Sequence, residues 1–136
     1  MPIEDIPEFL RNVGMRASKP RVQLSELLFG GEGRHVTAES LYEEAIHTKI
    51  KVTLTTVYNT LNQFSELGLL REIAVDGNRT YYDTNTSNHH HFYNENSGQL
   101  YDIDSDDLKV IGLPTPPNDQ NIWRIDVIVR LKKMQE

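Results

Sequence analysis

Residues 52–68, VTLTTVYNTLNQFSELG, decide the fold of this chain. Their apolar positions recur every three or four residues, which predicts an amphipathic helix. The face opposite the apolar stripe carries hydroxyl and amide groups, with Tyr58 at the border, whereas ordinary solvated helices carry Lys and Glu. Such groups suit base edges and thymine methyl groups. The pattern predicts a helix that reads DNA, and an Asn/Thr-rich surface helix without such a role is the alternative. The apolar stripe is Leu54, Val57, Leu61, Phe64 and Leu67, and the polar face is Thr55, Thr56, Asn59, Asn62 and Gln63.

The composition is typical of a globular protein, with 38% hydrophobic and 25% charged residues among 136. No apolar run approaches the roughly 18 residues that a membrane helix needs, and the N-terminus lacks a signal pattern. We therefore expect a cytoplasmic protein that has no membrane partner. The chain contains no cysteine, which excludes disulfides, thiolate zinc sites and cysteine nucleophiles. Any metal ion must be bound by nitrogen and oxygen.

The charge distribution is uneven. A net charge of -6 argues against a uniformly basic surface for nucleic acid. The acidic excess is larger after Tyr82 than before it, and residues 11–21 contain four basic side chains and no acid. This local run, which includes Arg16 and Lys19, predicts a phosphate-binding patch, although a solvated charged turn would look the same.

The first part of the chain predicts a winged helix. Helices are expected over residues 3–13, from Ser18 to residue 29, and after Thr37 as N-cap. The third should bury Ala38, Leu41, Tyr42, Ala45 and Ile46. With the helix at 52–68 they form a helix-turn-helix. Strand-like runs at 69–75 and 78–83 then meet at Asp76-Gly77, a hairpin signal. This hairpin is the wing, and it would bring Arg79 close to a DNA phosphate.

The remainder predicts a second, smaller lobe. The polar run 84–88 indicates a hinge. A strand at 99–103, a helix at 104–111, a Pro-rich loop at 112–121 and an alternating strand at 122–132 follow. We predict an α+β protein with a winged helix-turn-helix DNA-binding domain at 1–82, a hinge at 83–88, and an α/β dimerisation and ligand-sensing domain at 89–136. A lobe this small needs a partner surface, which a second copy would supply.

Three adjacent histidines, His89, His90 and His91, open the second lobe. In an extended segment the outer two share a face and the middle one points away. Clustered imidazoles repel when charged and gain little from packing, which favours a role as metal or haem ligands. Asp83 and Asp102 flank the run, and His35 lies in an earlier loop; each alone has an ordinary structural explanation. Nitrogen and carboxylate donors suit Zn, Fe, Mn or Co.

Taken together, several motifs resemble the ferric uptake regulator family of metal-responsive repressors. They are GMRASKPR, HVTAESLYEEA, TLTTVYNTLNQFSELGLLREI, RTYYD, the histidine run and SGQLYDID. The resemblance implies a homodimer that binds an AT-rich palindromic operator in double-stranded DNA under ligand control. Tyr58 matches the family's base-contacting tyrosine, and Arg16 matches its minor-groove residue. The family's regulatory metal site, between its two lobes, maps onto His35, Asp83, His89, His91 and Asp102.

Some positions depart from the family pattern. Asn94 and Ser97 replace the CxxC pair, so the structural zinc site formed by four cysteines is not expected, and Asn59 replaces an arginine of the recognition helix. The lack of cysteine and the HHH run look most like the iron response regulator branch. That likeness implies binding of haem, or of a haem-delivering enzyme, through His89, His90 and His91.

The predicted function is therefore a DNA-binding transcriptional regulator of iron or haem homeostasis, and not an enzyme. The first alternative is a repressor that senses Fe, Mn or Zn without haem. A small metal-dependent hydrolase is disfavoured, because no spaced motif such as HExxH is present. A pure dimerisation module would not explain the polar face of residues 52–68.

Overall fold

The computed structural model describes residues 3–76 and 79–134, and it divides into two compact units, one ending at Thr86 and the other beginning at Ser87. The described residues contain four helices and two three-stranded sheets, which confirms the α+β class. The division falls within the segment predicted as a hinge. Asp83, placed at the start of that hinge, instead ends a strand of the first unit.

Four helices build the first unit: α1 Ile6–Asn12, α2 Lys19–Phe29, α3 Ala38–His47 and α4 Leu54–Glu66. Their starts follow the sequence signals. Ser18 precedes α2 and Pro20 lies in its first turn, where a missing N–H is harmless. Thr37 caps α3 in a reciprocal capping box with Ser40, and the Thr53 hydroxyl caps α4 by accepting from an N–H of its first turn. The helix α1 is shorter than predicted, because Asp5 caps it.

The apolar stripe of α4 forms the centre of this unit. Val57, Leu61 and Phe64 are fully buried and share one core cluster with side chains of the other three helices. Leu54 and Leu67, at the two ends of the predicted stripe, are exposed instead, since they extend past the packed turns. Gly68 ends this stretch with a φ of 76°, which a residue with a side chain rarely adopts.

The expected burial of α3 is only partly correct. Ala38, Leu41 and Ala45 are buried, whereas Tyr42 is half-buried and Ile46 is exposed. Ile46 follows Ala45 by one residue, a rotation of about 100° around the helix axis, and it therefore turns away from the packed face.

The sheet of the first unit contains one strand that the sequence did not predict. Strands β1 His35–Val36, β2 Arg71–Asp76 and β3 Arg79–Asp83 lie in the order β1-β3-β2, all antiparallel. The pairing of β2 with β3 confirms the predicted hairpin strands. Asp76 of the predicted turn ends β2, whereas Gly77 of that turn and Asn78, predicted as the start of the second strand, lie outside the described residues. A strand of two residues is too short to show alternation, so β1 had no sequence signal.

The second unit is a sheet with long irregular segments. Its strands are β4 His90–Asn94, β5 Leu100–Ile103 and β6 Ile128–Leu131, in the order β5-β4-β6. Strand β5 is antiparallel to β4, and β6 is parallel to it. Strand β5 confirms the prediction at 99–103 to within one residue.

For the second unit, one predicted element is wrong and another is only partly correct. The helix expected at 104–111 is absent from the described residues, where a single turn joins the Asp107 N–H to the Asp104 carbonyl. Asp is a poor helix former, neighbouring carboxylates repel, and Ile111 is 88% exposed, so nothing packs to stabilise a helix there. The strand expected at 122–132 shrinks to β6, because β4 offers a partner only along its own short length.

None of the helices in the described part of the chain is both long and apolar enough to cross a membrane.

Candidate metal centre and nucleic-acid interface

The first unit brings together two of the predicted metal ligands, His35 and Asp83. They are direct partners on β1 and β3, so both side chains rise from adjacent antiparallel strands. His35 Nε2 lies 3.0 Å from an Oδ2 oxygen of Asp83. The other carboxylate oxygen of Asp83 accepts a hydrogen bond of 2.9 Å from the Asn85 N–H, which orients the group. Asp83 is buried, with 1% of its surface exposed. A carboxylate buried beside an imidazole is a preformed pair of donors for a cation.

The second unit brings together the other three predicted ligands. His91 lies opposite Asp102 in the pairing of β4 with β5, and His89 precedes His91 by two residues on an extended segment. The Nε2 atoms of His89 and His91 lie 3.2 Å and 3.4 Å from the same Oδ1 oxygen of Asp102. Both histidines are buried, and their ring centroids are 4.5 Å apart. Three donor atoms thus converge on one small volume.

A hydrogen bond to the backbone decides which ring nitrogen of neutral His89 carries the proton. Its Nδ1 lies 2.8 Å from the carbonyl oxygen of Ser87. A carbonyl oxygen only accepts, so Nδ1 carries the proton and donates, and the lone pair of the neutral ring is on Nε2. That lone pair faces the Asp102 carboxylate. Two electron-rich atoms at this distance repel unless a cation lies between them, and a metal ion or a proton would satisfy the arrangement.

His90 has a different environment. It points to the other side of the strand, and its Nδ1 accepts a hydrogen bond of 3.1 Å from the Val127 N–H. In the neutral ring the proton therefore lies on Nε2, which leaves no lone pair for a metal. His90 joins β4 to the segment that leads into β6, a structural contact that no sequence pattern indicated.

The predicted polar face of α4 is exposed. Thr55, Asn59, Asn62 and Gln63 lie on the surface, and Tyr58 is 38% exposed. Thr56 is half-buried, and the Thr53 hydroxyl donates to its hydroxyl oxygen. The predicted polar face therefore exists as a surface in the first unit.

Three residues of this face are each held by a different element. Arg21 donates from one guanidinium nitrogen to the side-chain oxygen of Gln63 and from another to the Arg16 carbonyl. The Tyr82 hydroxyl of β3 donates to the Asn62 side chain at 2.8 Å. Burial raises the pKa of Tyr82 to about 12, so this hydroxyl keeps its proton in neutral solution.

The third restraint joins α4 to α3. The hydroxyl of Tyr58 donates to Oε1 of Glu39. This hydrogen bond lowers the pKa of the Glu39 carboxyl and raises the pKa of the Tyr58 phenol, as expected for a bond that stabilises the carboxylate and the protonated phenol. None of the sequence motifs suggested Glu39 as a functional residue.

The predicted phosphate contacts come from separate parts of the first unit. Arg16 and Lys19 are exposed at and just before the start of α2, and Arg79 is exposed at the start of β3. Arg16 is linked through its carbonyl to Arg21, which also binds α4. These observations place the basic residues within the same compact unit as α4.

The sequence model of the ferric uptake regulator family matches residues 12–120. The chain belongs to the ferric uptake regulator family. The ferric uptake regulation protein of Bordetella parapertussis is 29% identical over 101 residues, which are 74% of this chain and 73% of that protein.

Solved structures agree with this assignment at the level of the fold. The ferric uptake regulator of Vibrio cholerae aligns with a TM-score of 0.73 and 20% identity, over 95% of this chain and all of that one. The regulator of Pseudomonas aeruginosa, solved with manganese, aligns with a TM-score of 0.70 and 20% identity, over 97% of this chain and all of that one. Family members are metal-responsive transcription regulators, which leaves the hydrolase alternative without support.

This family member departs from the CxxC pattern in a way that the fold accommodates. Asn94 ends β4, and its side-chain oxygen accepts hydrogen bonds from the backbone N–H groups of Asn96 and Ser97 at 2.8 Å and 3.0 Å. An Asn side chain that accepts from the following residues closes a turn without a metal. Local hydrogen bonds therefore stabilise the connection from β4 to β5.

Proposed function

We propose that this protein is a DNA-binding transcriptional regulator of iron homeostasis that responds to a divalent metal ion, with Fe, Mn and Zn as candidates. The convergence of two imidazole nitrogens on the Asp102 carboxylate carries the proposal, because the lone pair of His89 faces a negative oxygen and a cation bound between them would remove the repulsion. Imidazole and carboxylate donors fit all three metals.

The proposed ion is bound by His35, Asp83, His89, His91 and Asp102 together. The first unit supplies two donors and the second supplies three, so neither set alone completes four-coordinate binding by protein groups. A divalent cation would supply positive charge to two carboxylates and accept the lone pairs of the imidazoles. The surrounding hydrogen bonds of Asp83 and His89 orient these donors before any ion binds.

The proposed DNA-binding surface centres on α4. Thr55, Thr56, Tyr58 and Asn59 would read base edges and thymine methyl groups in the major groove. Among the hydrogen-bonding groups of this face, Asn59 offers an amide that suits adenine. The basic residues Arg16, Lys19 and Arg79 would contact phosphates, and they contribute affinity and position rather than sequence preference.

The proposed assembly is a homodimer formed by the second unit, binding an AT-rich palindromic operator. Trp123 is 85% exposed and Met134 is 90% exposed in that unit. Exposed apolar surface of this kind is typical of a protein-protein interface. Two-fold symmetry of the protein would match the symmetry of a palindrome.

Haem sensing through His89, His90 and His91, as in the iron response regulator branch, is the second candidate. The geometry supports it less well. His89 and His91 converge on one small volume, and the Nδ1 of His90 is engaged by Val127, so haem ligation by His90 requires that bond to break. A haem-delivering enzyme as partner stays a prediction of the sequence resemblance.

A DNA-binding titration tests the proposal. The protein first selects duplexes from a random pool with and without Fe(II), Mn(II), Zn(II) or haem, and dissociation constants are then measured for the selected duplex. We expect a divalent metal to change affinity at least about tenfold, within the usual range of allosteric coupling. Equal affinity with and without each metal would refute metal control, and a response to haem alone would favour the second candidate.

Tyr58→Ala tests the DNA-binding surface, with Tyr101→Ala as a matched control on an exposed tyrosine of the second unit. We expect the first variant to weaken binding to the selected duplex by about tenfold or more, in line with the loss of a base contact. Wild-type affinity in Tyr58→Ala would refute the assignment of α4 as the reading helix.

A further inference from the structure

Glu39 on α3 contacts Tyr58 at the polar face of α4. Its Oε1 accepts the only hydroxyl proton of Tyr58, the aromatic residue at the border of that face. Both side chains lie at the surface. A hydrogen bond between exposed groups exchanges water for a protein partner and adds little to stability. This bond is therefore expected to affect recognition more than folding.

The contact gives the hydroxyl and the ring of Tyr58 separate roles. Its hydroxyl donates to Glu39 and is withheld as a donor from DNA, while its ring stays accessible. A phenol that could rotate freely would donate to any nearby phosphate, a contact that carries no sequence information. A ring held in one orientation can pack against a thymine methyl group, which does carry sequence information.

Other polar groups of the face can supply the hydrogen bonds to bases that the Tyr58 hydroxyl does not make. The exposed side chains of Thr55 and Asn59 have no hydrogen-bond partner among residues 3–76 and 79–134, so they remain available to base edges. The hydrogen bond from Tyr58 and, to a smaller extent, the charge of Arg79 lower the pKa of the Glu39 carboxyl. The carboxylate is therefore present as a strong acceptor for the Tyr58 hydroxyl.

We propose that Glu39 is a positioning residue for DNA recognition: by binding the Tyr58 hydroxyl it orients the ring toward thymine methyl groups and withholds the hydroxyl from phosphates. Glu39 thereby increases sequence specificity and lowers sequence-independent affinity. The inference rests on the proposed function of α4 as the DNA-reading helix.

The experiment uses the full-length protein, loaded with the metal that gives tightest binding, and its selected duplex. Each thymine is replaced singly by uracil, which removes only the methyl group. The dissociation constant for the uracil duplex divided by that for the thymine duplex measures recognition of the methyl group. At the contacted thymine we expect about fourfold discrimination by the wild type, the value for burying one methyl-sized group. Glu39→Ala should reduce this ratio to below about twofold, because the ring loses its anchor.

Three further variants separate positioning from charge and folding. Glu39→Gln keeps an oxygen acceptor and should restore the discrimination. Glu43→Gln removes the same charge from an exposed position of α3 and should leave the ratio unchanged. Tyr58→Phe should lower the ratio as Glu39→Ala does, and the double variant Glu39→Ala with Tyr58→Phe should show no further loss. Non-additivity of this kind is the signature of one shared interaction.

Other outcomes overturn the inference. If Glu39→Ala keeps fourfold discrimination, or if its effect adds to that of Tyr58→Phe, Glu39 does not act through Tyr58. Equal loss in Glu39→Ala and Glu39→Gln, accompanied by a lower midpoint of thermal unfolding, would indicate a structural role. If the wild type binds no duplex, the proposed function itself fails; if Tyr58→Ala weakens binding while all Glu39 variants match Glu43→Gln, only this inference fails.

Discussion

The two units differ in how completely they bury their apolar residues. The first contains a continuous core drawn from all four helices and β1, whereas Tyr93, Leu100 and Ile103 are the only buried hydrophobic residues among those described in the second. Large exposed apolar side chains are concentrated in the second unit. They are Tyr101, Val110, Ile111, Leu113, Ile122, Trp123, Leu131 and Met134.

The first unit therefore has a complete hydrophobic core, whereas the core of the second unit is incomplete. The apolar stripe of α4 packs against side chains of the first unit, which therefore buries this stripe by itself. The strands of the second unit bury one another only in part. Under the proposed function a second copy of the chain covers the remainder, and the metal ligands lie in both units.

A matched pair of leucine truncations gives the largest expected contrast. Leu61 is fully buried in α4, and Leu131 at the end of β6 is 36% exposed. We expect Leu61→Ala to lower the free energy of unfolding by about 2–5 kcal/mol, and Leu131→Ala to lower it by less than about 1.5 kcal/mol. Urea denaturation monitored by circular dichroism measures both. Equal losses would show that the two units are packed to the same degree.

Replacement of the buried Asp83 or of the exposed Asp102 should weaken metal binding. Asp83 belongs to the first unit and Asp102 to the second, so Asp83→Asn and Asp102→Asn test the two donor sets separately. We expect each to raise the dissociation constant for the metal by about 100-fold or more, the upper range for altered metal-site residues. Competition with a chelator measures this, with Asp126→Asn as a control on an exposed acid paired to Arg124. A loss confined to one variant would restrict the site to one unit.

Truncation of Trp123 tests the exposed apolar surface of the second unit. Trp123→Ala should weaken the homodimer by about tenfold, equivalent to 1.4 kcal/mol, since an aromatic side chain in an interface contributes strongly to association. Sedimentation across a concentration series measures the dimer dissociation constant. Truncating the exposed Ile46 of α3 provides the control in the first unit. If both variants dimerise like the wild type, another surface forms the dimer.

The smallest effect is expected at His90. His90→Ala removes a hydrogen bond to Val127 but no proposed metal ligand, so metal affinity should change by less than about twofold. The hydrogen bond itself contributes about 0.5–1.5 kcal/mol to stability. Isothermal titration with metal, compared with His91→Ala, measures the difference. A loss as large as that of His91→Ala would place His90 among the ligands.

Much of the first unit could be predicted because its signals are local. The caps Ser18 and Thr37, the stripe through Phe64 and the paired strands of the hairpin all depend on residues a few positions apart. The failures have a common cause. The helix expected at 104–111 and the full strand at 122–132 had suitable periodicity but lacked a packing partner in the described structure. Periodicity indicates what an element could become, and packing decides whether it forms.

The sequence by itself determined the helix at the centre of the first unit, the presence of clustered nitrogen and carboxylate donors without thiolates, and the family. Only the tertiary structure decided which of these groups meet. Strand β1 places His35 opposite Asp83, the pairing of β4 with β5 directs His91 toward Asp102, and α3 brings Glu39 to Tyr58. These contacts join residues that are between 11 and 48 positions apart. Strand pairing and helix packing, which depend on the whole unit, create such contacts, and local sequence patterns carry no record of them.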